Sequence, residues 1–311
     1  MANYIVTGGT GAIGRALIKK LVSEGNECYV LLHRGTVRGE ELKKDPHCHV
    51  ISLNLDEYDN MIHAFNQCGF PIEGYEAFFH LAWDGTAGNF RNDMGLQTKN
   101  IQGALDAVDA AYRLHCKVFV GSGSQAEYGR FEGTLTEKTP CFPENGYGMA
   151  KLCAGYMTRV KCETYAIRHE WARILSIYGP YDRETTLIST AVHSMLHNED
   201  TAFTPGEQIW DYLYSDDVAE ALYLMSTRGR HGRVYVIGSG KTDKLSNYIK
   251  KIAIATGYNK PIGFGKIPYF DKQVMYLKAD ITPLKIDCGF EPKISFEDGI
   301  RKLVAFEKSR G

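Results

Sequence analysis

Short apolar runs alternate along this chain with longer stretches of helical period. Residues 4–7, 28–34, 49–54, 76–82, 117–122, 171–178 and 234–238 read as strands. Most are near-continuous apolar runs, the pattern of strands covered on both faces. Between the first two, Ile13, Leu17 and Leu21 recur at four-residue steps beside Ile18 and Val22, and Gly25 is placed as a helix stop. Longer helices are expected at about 91–114 and 147–168. Repeated strand–helix–strand units predict an α/β fold: a Rossmann-type, doubly wound parallel sheet with right-handed crossovers. After Gly179-Pro180 the pattern loosens into segments rich in Gly, Pro and aromatics, notably 201–215 and 261–276. Residues 1–179 are therefore expected to form a Rossmann-type domain. Residues 180–311 are expected to form mainly a smaller, substrate-binding lobe, with 234–238 returning to the sheet.

Composition adds exclusions. A formal net charge of −1 provides no long-range field for nucleic acid or anionic lipid. No apolar run approaches the ~20 residues of a membrane span. The 8 cysteines form no CxxC pair, which fits free thiols. Tyr4-Ile5-Val6 follows Met1 too closely for a secretory leader, so a cytoplasmic location is expected. His47-Cys48-His49 crowds potential ligands, but strand alternation sends neighbours to opposite faces, so no metal site is expected.

Thr7-Gly8-Gly9-Thr10-Gly11-Ala12-Ile13-Gly14 closes the first strand and opens the first helix. Glycines at 8, 11 and 14 let backbone N–H groups and the helix N-terminus approach a pyrophosphate closely, so the Rossmann domain at 1–179 is expected to be dinucleotide-binding. At the end of the second strand, NAD-binding folds usually place a carboxylate on the ribose 2′-hydroxyl. Here His33-Arg34 stands there, with Arg38 following, and guanidinium suits a 2′-phosphate. A solvated basic loop is the plain alternative, so NADP(H) is favoured and NAD stays possible. Tyr147 and Lys151 lie four residues apart, on one face of a helix. A cation there would lower the phenol's pKa and ready it for proton exchange. Ser124, closing Gly121-Ser122-Gly123, is placed to hydrogen-bond a reacting oxygen.

Together with His80-Leu81-Ala82, Asn100, Tyr128-Gly129, Tyr178-Gly179-Pro180 and the segment from Asp211 to Asp217, these residues resemble the extended short-chain dehydrogenase/reductases of the NAD-dependent epimerase/dehydratase family. The resemblance implies that Tyr147 is the acid/base, that Lys151 holds the nicotinamide ribose, that Ser124 positions the substrate oxygen and that Asn100 supports the site. It also implies cofactor contacts from Gly8, Gly11, Ala12, Ile13, Gly14, His33, Arg34, Arg38, Asn54, Leu55, Leu81, Ala82, Trp83, Ser122 and Tyr178. Substrate contacts would come from Ser124, Gln125, Asp84, Gln208 and Trp210. A homodimer paired through the two long helices is expected from the same source.

Two departures narrow the reaction. Dehydratases of this family carry an Asp-Glu pair after the residue matching Ser124, whereas this chain has Gln125-Ala126. Without that pair dehydration is not expected. Trp210 stands where many members hold the diphosphate with Arg; it would stack on a base or sugar, or simply pack. Gln208, Trp210 and Ser-Gln-Ala-Glu-Tyr-Gly at 124–129 resemble CDP-abequose synthase-type nucleotide-sugar 4-ketoreductases. The expected activity is NADPH-dependent reduction of a nucleotide-linked 4-keto-(6-deoxy)hexose. The alternatives are a 4-epimerase with recycled cofactor and a non-catalytic NADP sensor.

Overall fold

In the computed structural model, which describes residues 1–310, the apolar runs form one seven-stranded sheet. Its strands in chain order are β1 (Asn3–Thr7), β2 (Glu27–Leu32), β3 (Cys48–Ser52), β4 (Tyr75–His80), β5 (Val118–Ser124), β6 (Arg168–Ile174) and β7 (Arg233–Ile237). All neighbours are parallel, in the order β3-β2-β1-β4-β5-β6-β7. The order reverses between β1 and β4, and a crevice opens there at the carboxyl ends of the strands.

Nine α-helices are described. They are α1 (Ala12–Ser23), α2 (Met61–Gln67), α3 (Met94–Arg113), α4 (Gly146–Thr164), α5 (Leu187–Leu196), α6 (Ser215–Arg228), α7 (Leu245–Thr256), α8 (Thr282–Cys288) and α9 (Phe296–Lys308). Helices α1 and α6 pack together on one sheet face, and α3 and α4 on the other. Two covered faces explain why the strand sequences are apolar throughout instead of alternating. Helices α5, α7 and α9 enclose a separate apolar cluster with Tyr178, Phe203 and Tyr214.

The long strand expected at 171–178 is broken. Strand β6 ends at Ile174, the Leu175 N–H donates to the Ile237 carbonyl at 2.9 Å, and Ser176–Tyr178 leaves the sheet to pair with Tyr212–Tyr214. That bend puts Ser176 and Ile177 into the crevice wall. The strand expected at 234–238 is β7, and it completes the sheet beside β6. The buried Asp211 carboxylate ties the two regions together. It accepts hydrogen bonds from the Ser239 N–H and hydroxyl and from the Gly240 and Ala279 N–H groups, at 2.7–3.1 Å.

His47 and His49 do share a face, both meeting the Glu27 carboxylate, at 2.8 and 2.6 Å, while Cys48 turns inward. No helix among the described residues is long and apolar enough to cross a membrane.

Trp171, on β6, occupies the space that side chains at 121, 123 and 155 would need. A Cβ on Gly121 would stand 2.3 Å from the indole, and one on Gly155 2.8 Å. The close approach of β5 and α4 to β6 depends on this ring filling the gap between glycines. Replacing Trp171 with Ala should cost about 3–5 kcal/mol, read as a lower urea midpoint in equilibrium unfolding.

Candidate active site

The crevice is a cleft of about 540 Å³ whose floor is the glycine turn and whose walls come from both lobes. Gly8 has φ +72°, and a Cβ there would lie 2.8 Å from the Ala82 nitrogen; a Cβ on Gly14 would lie 2.3 Å from the Gly8 carbonyl. These two glycines let β1, β4 and α1 converge. Gly11 is different: a Cβ there meets only the Gly8 carbonyl, at 3.9 Å, so the open side of this residue faces the cleft beside the start of α1. Such a cradle fits a dinucleotide pyrophosphate. Thr7 fixes the opposite wall, its Oγ1 accepting the Leu81 and Ala82 N–H groups at 3.0 Å each.

Asn145 caps α4, accepting the Gly148 N–H at 2.9 Å, and the helix then presents Tyr147 and Lys151 to the cleft. The Lys151 ammonium is buried, donates to the Ser122 carbonyl at 2.7 Å and its hydroxyl at 3.2 Å, and lies 3.8 Å from the centre of the Trp83 ring. Burial, opposed by the Glu127 charge, pulls its pKa down to about 7. Tyr147 moves the other way from the sequence expectation. Burial raises its phenol, and what opposes this is the Ser124 hydroxyl together with the Arg91 and Arg183 charges. Lys151 lies 6.0 Å from the Tyr147 ring centre, with its ammonium engaged by Ser122.

Ser124 is set by a buried carboxylate that sequence reasoning passed over. Glu127 accepts the Ser124 N–H at 2.8 Å, the Trp171 indole N–H at 3.0 Å and the Arg173 Nε at 2.6 Å. Glu127 and Arg173 are both buried, so the pair holds charges that water cannot screen.

The cleft also contains Arg91, Arg183 and Thr86, none of them singled out from sequence. The Arg91 guanidinium lies 4.6 Å from the Tyr147 ring centre, and Arg183 donates to the Thr86 hydroxyl at 2.8 Å. Neither arginine has a carboxylate partner among the described residues. No motif announces them, because both sit in irregular loops that only the fold brings together.

Ala12, Ile13, Arg38, Leu81, Ala82, Trp83, Ser122, Gln125 and Trp210 line the cleft, whereas several other expected contacts do not. Tyr178 is turned into the second core, its hydroxyl donating to the Phe296 carbonyl at 3.2 Å; Tyr181 and Asp182 stand in the wall instead. Gln208 is buried against Thr204 and Tyr269. Asp84 is exposed outside the cleft, its backbone gripped on both sides by the Asn100 amide at 2.9–3.0 Å. Asn100 is thus buried behind the 81–92 loop and holds it in place. Leu55 packs on Gly103. His33, Arg34 and Asn54 lie outside the lining residues, where Arg34 is bound to Glu57 at 2.8 Å and the Asn54 amide oxygen accepts the Arg34 N–H at 2.9 Å. The Trp210 indole donates to the Ser176 hydroxyl at 2.8 Å while packing on the second core, so it lines the cleft and packs at once.

A glycine cradle under a parallel sheet, with tyrosine, lysine and serine converging beside it, defines a short-chain dehydrogenase/reductase-type site. The chain matches the NAD dependent epimerase/dehydratase family over residues 4–238 and belongs to it. It is 27% identical to the dTDP-glucose 4,6-dehydratase of Neisseria gonorrhoeae, over 97% of this chain and 94% of that protein. Among solved structures it is similar to a UDP-glucose 4-epimerase from Thermotoga maritima bound to UDP-glucose, with a TM-score of 0.87, 25% identity, and coverage of 99% of this chain and 100% of that one. The fold is shared equally with a UDP-N-acetylglucosamine 4-epimerase from Methanobrevibacter ruminantium, with a TM-score of 0.88, 21% identity, and coverage of 100% of this chain and 99% of that one.

The buried lysine carries a stability signature. Its folded pKa of about 7 lies below the unfolded value, so the unfolded chain binds more protons between roughly pH 7 and 10.5. The penalty is fully present below pH 7 and fades as pH rises toward 10.5. Lys151→Met should therefore raise the melting temperature at pH 6 more than at pH 9, measured by calorimetry on the protein without added nucleotide. Glu127→Ala should do the reverse of stabilising, costing about 3–5 kcal/mol by leaving Arg173 buried without its partner.

Proposed function

We propose that the protein is an NADPH-dependent reductase of a nucleotide-linked 4-keto-(6-deoxy)hexose. The observation that carries this reading is the pairing of a proton-exchanging Tyr147 and Ser124 with a cleft that has Gln125-Ala126 where a dehydratase needs two carboxyl groups. Among the cleft-lining residues the one carboxylate is Asp182, already engaged by the Thr186 hydroxyl at 3.0 Å and the Arg183 N–H at 2.8 Å. Removing a sugar proton and expelling water calls for an acid and a base, and one committed carboxylate does not supply them.

A reduced nicotinamide, when bound, supplies hydride to the sugar carbon. Tyr147 donates its phenolic proton to the oxygen that becomes the alcohol, and the Ser124 hydroxyl fixes that oxygen's direction. The tyrosinate left behind is stabilised by Arg91 over its ring and by Arg183. The same two cations favour an anionic substrate on the sugar side of the tyrosine. Lys151, between Ser122 and Trp83, would hold the ribose, whose hydroxyls would give its charge, costly in the buried site, further partners. Arg34 and Arg38 favour NADP(H) over NAD.

A 4-epimerase is the second reading, supported by the ion pair that already occupies Arg34 and by the Thermotoga relative. In it Tyr147 first takes the C4 hydroxyl proton and later returns one on the other face. The protein is proposed to work as a homodimer through α3 and α4, because Met149, Tyr156, Met157 and Val160 form an exposed apolar stripe along α4.

Absorbance of reduced nicotinamide, followed with CDP-, dTDP-, GDP- and UDP-4-keto-6-deoxyhexoses, should fall stoichiometrically with one of them. Interconversion of two sugars without net loss would instead favour the epimerase. Tyr147→Phe should lower kcat by at least about 100-fold, the usual contribution of general acid catalysis, while NADPH titration stays near wild type. Val160→Glu should shift the molecular mass in light scattering from dimer to monomer.

A further inference from the structure

Strand β2 ends at Leu32, and the next two residues stand just past the end of this strand, where a dinucleotide fold meets the adenosine ribose, while Arg38 further on lines the cleft. The charge there is not Arg34's alone. The turn after β3 brings Glu57 up beside it, so that one carboxylate oxygen accepts both the Arg34 Nε at 2.8 Å and the Asn54 N–H at 2.9 Å. Asn54 closes the ring by accepting the Arg34 N–H. Both charged side chains stay open to solvent, at 56% exposure for Arg34 and 32% for Glu57. An exposed pair of this kind opens readily when a better partner arrives.

We propose that Glu57 sets the dinucleotide preference of this protein, by competing with a 2′-phosphate for Arg34 and offering its own carboxylate to an unphosphorylated ribose. The inference rests on the reading that a dinucleotide occupies the cleft. A 2′-phosphate brings nearly two negative charges and strong acceptor oxygens, so Arg34 would prefer it to a single carboxylate. Glu57 then stands as a like charge beside the phosphate, held there by the Asn54 N–H. An unphosphorylated ribose presents hydroxyl donors instead, and Glu57 accepts from them without giving up Arg34. The fold thereby restores from the β3 turn the carboxylate missing at the end of β2. Arg38 adds a second cation facing the cleft; its guanidinium donates to the Tyr181 carbonyl at 3.3 Å and has no carboxylate partner among the described residues. His33 adds no free donor on its Nδ1 side, which is taken up by the Arg34 carbonyl at 2.7 Å. Two cations and one anion beyond the ends of β2 and β3 give a narrow preference, in which both dinucleotides bind.

The test is binding of NADPH and NADH to the full chain, followed by reduced-nicotinamide fluorescence, for the wild type, Glu57→Gln, Arg34→Gln and the double variant. Gln at 57 keeps an oxygen for the Asn54 N–H while removing the charge. Glu57→Gln should tighten NADPH on the order of tenfold, as expected from removing one like charge at an exposed site, and the gain should shrink in high salt. The same variant should weaken NADH, and the NADPH gain should vanish in the double variant. A ratio of NADPH to NADH affinity that Glu57→Gln leaves unchanged, while Arg34→Gln changes it, overturns the role of Glu57 and leaves the dinucleotide reading standing. Failure of both dinucleotides to bind any of the four proteins overturns both readings.

Discussion

The site depends on a carboxylate that never reaches it. Glu127 is fully buried, and its two oxygens gather the Ser124 backbone, the Trp171 indole and the Arg173 guanidinium into one knot behind the cleft. A buried charge is tolerable only when every lone pair is answered, and here the answers come from β5 and β6. The knot therefore fixes the position of Ser124 relative to the sheet. Tyr147 arrives from the other side, on a helix whose first turn is pinned by the Asn92 amide oxygen at Gly146 and by Asn145 at Gly148. Serine and tyrosine meet because two independent hydrogen-bonded supports hold them.

Within the cleft, positive charge is concentrated where the reaction would make negative charge. Lys151, Arg91 and Arg183 face it, and the one carboxylate among its lining residues, Asp182, has its own pKa raised by burial. The protein bears the cost of a buried lysine at neutral pH, the kind of local strain that functional sites retain.

Much of this was legible in the sequence, for physical reasons that can be named. Apolar strands covered on both faces, and glycines required by close backbone approach, leave local signatures, so the sheet and the cradle could be read before any coordinates. Tyr147, Lys151, Ser124 and Trp83 lay in segments whose place in the fold followed from strand order. Arg91, Arg183 and Glu57 did not, because their roles come from loops distant in sequence that meet only after folding. Tyr178 and Gln208 misled for the converse reason: each lies within two residues of a cleft residue in sequence, but the bend after Ile174 and the packing of the second core turn them away.

Strand β7 and helix α6 both come from beyond Gly179, yet one completes the central sheet and the other covers α1. The chain is interleaved, so residues 1–179 alone do not finish the core around the sheet. A piece ending at 179 would expose the open edge of β6 and an uncovered apolar face on α1, a template for aggregation and not a stable fragment. Packing lost from α6 or β7 would therefore be felt in the crevice, because the sheet that carries the glycine turn is closed by segments from beyond Gly179.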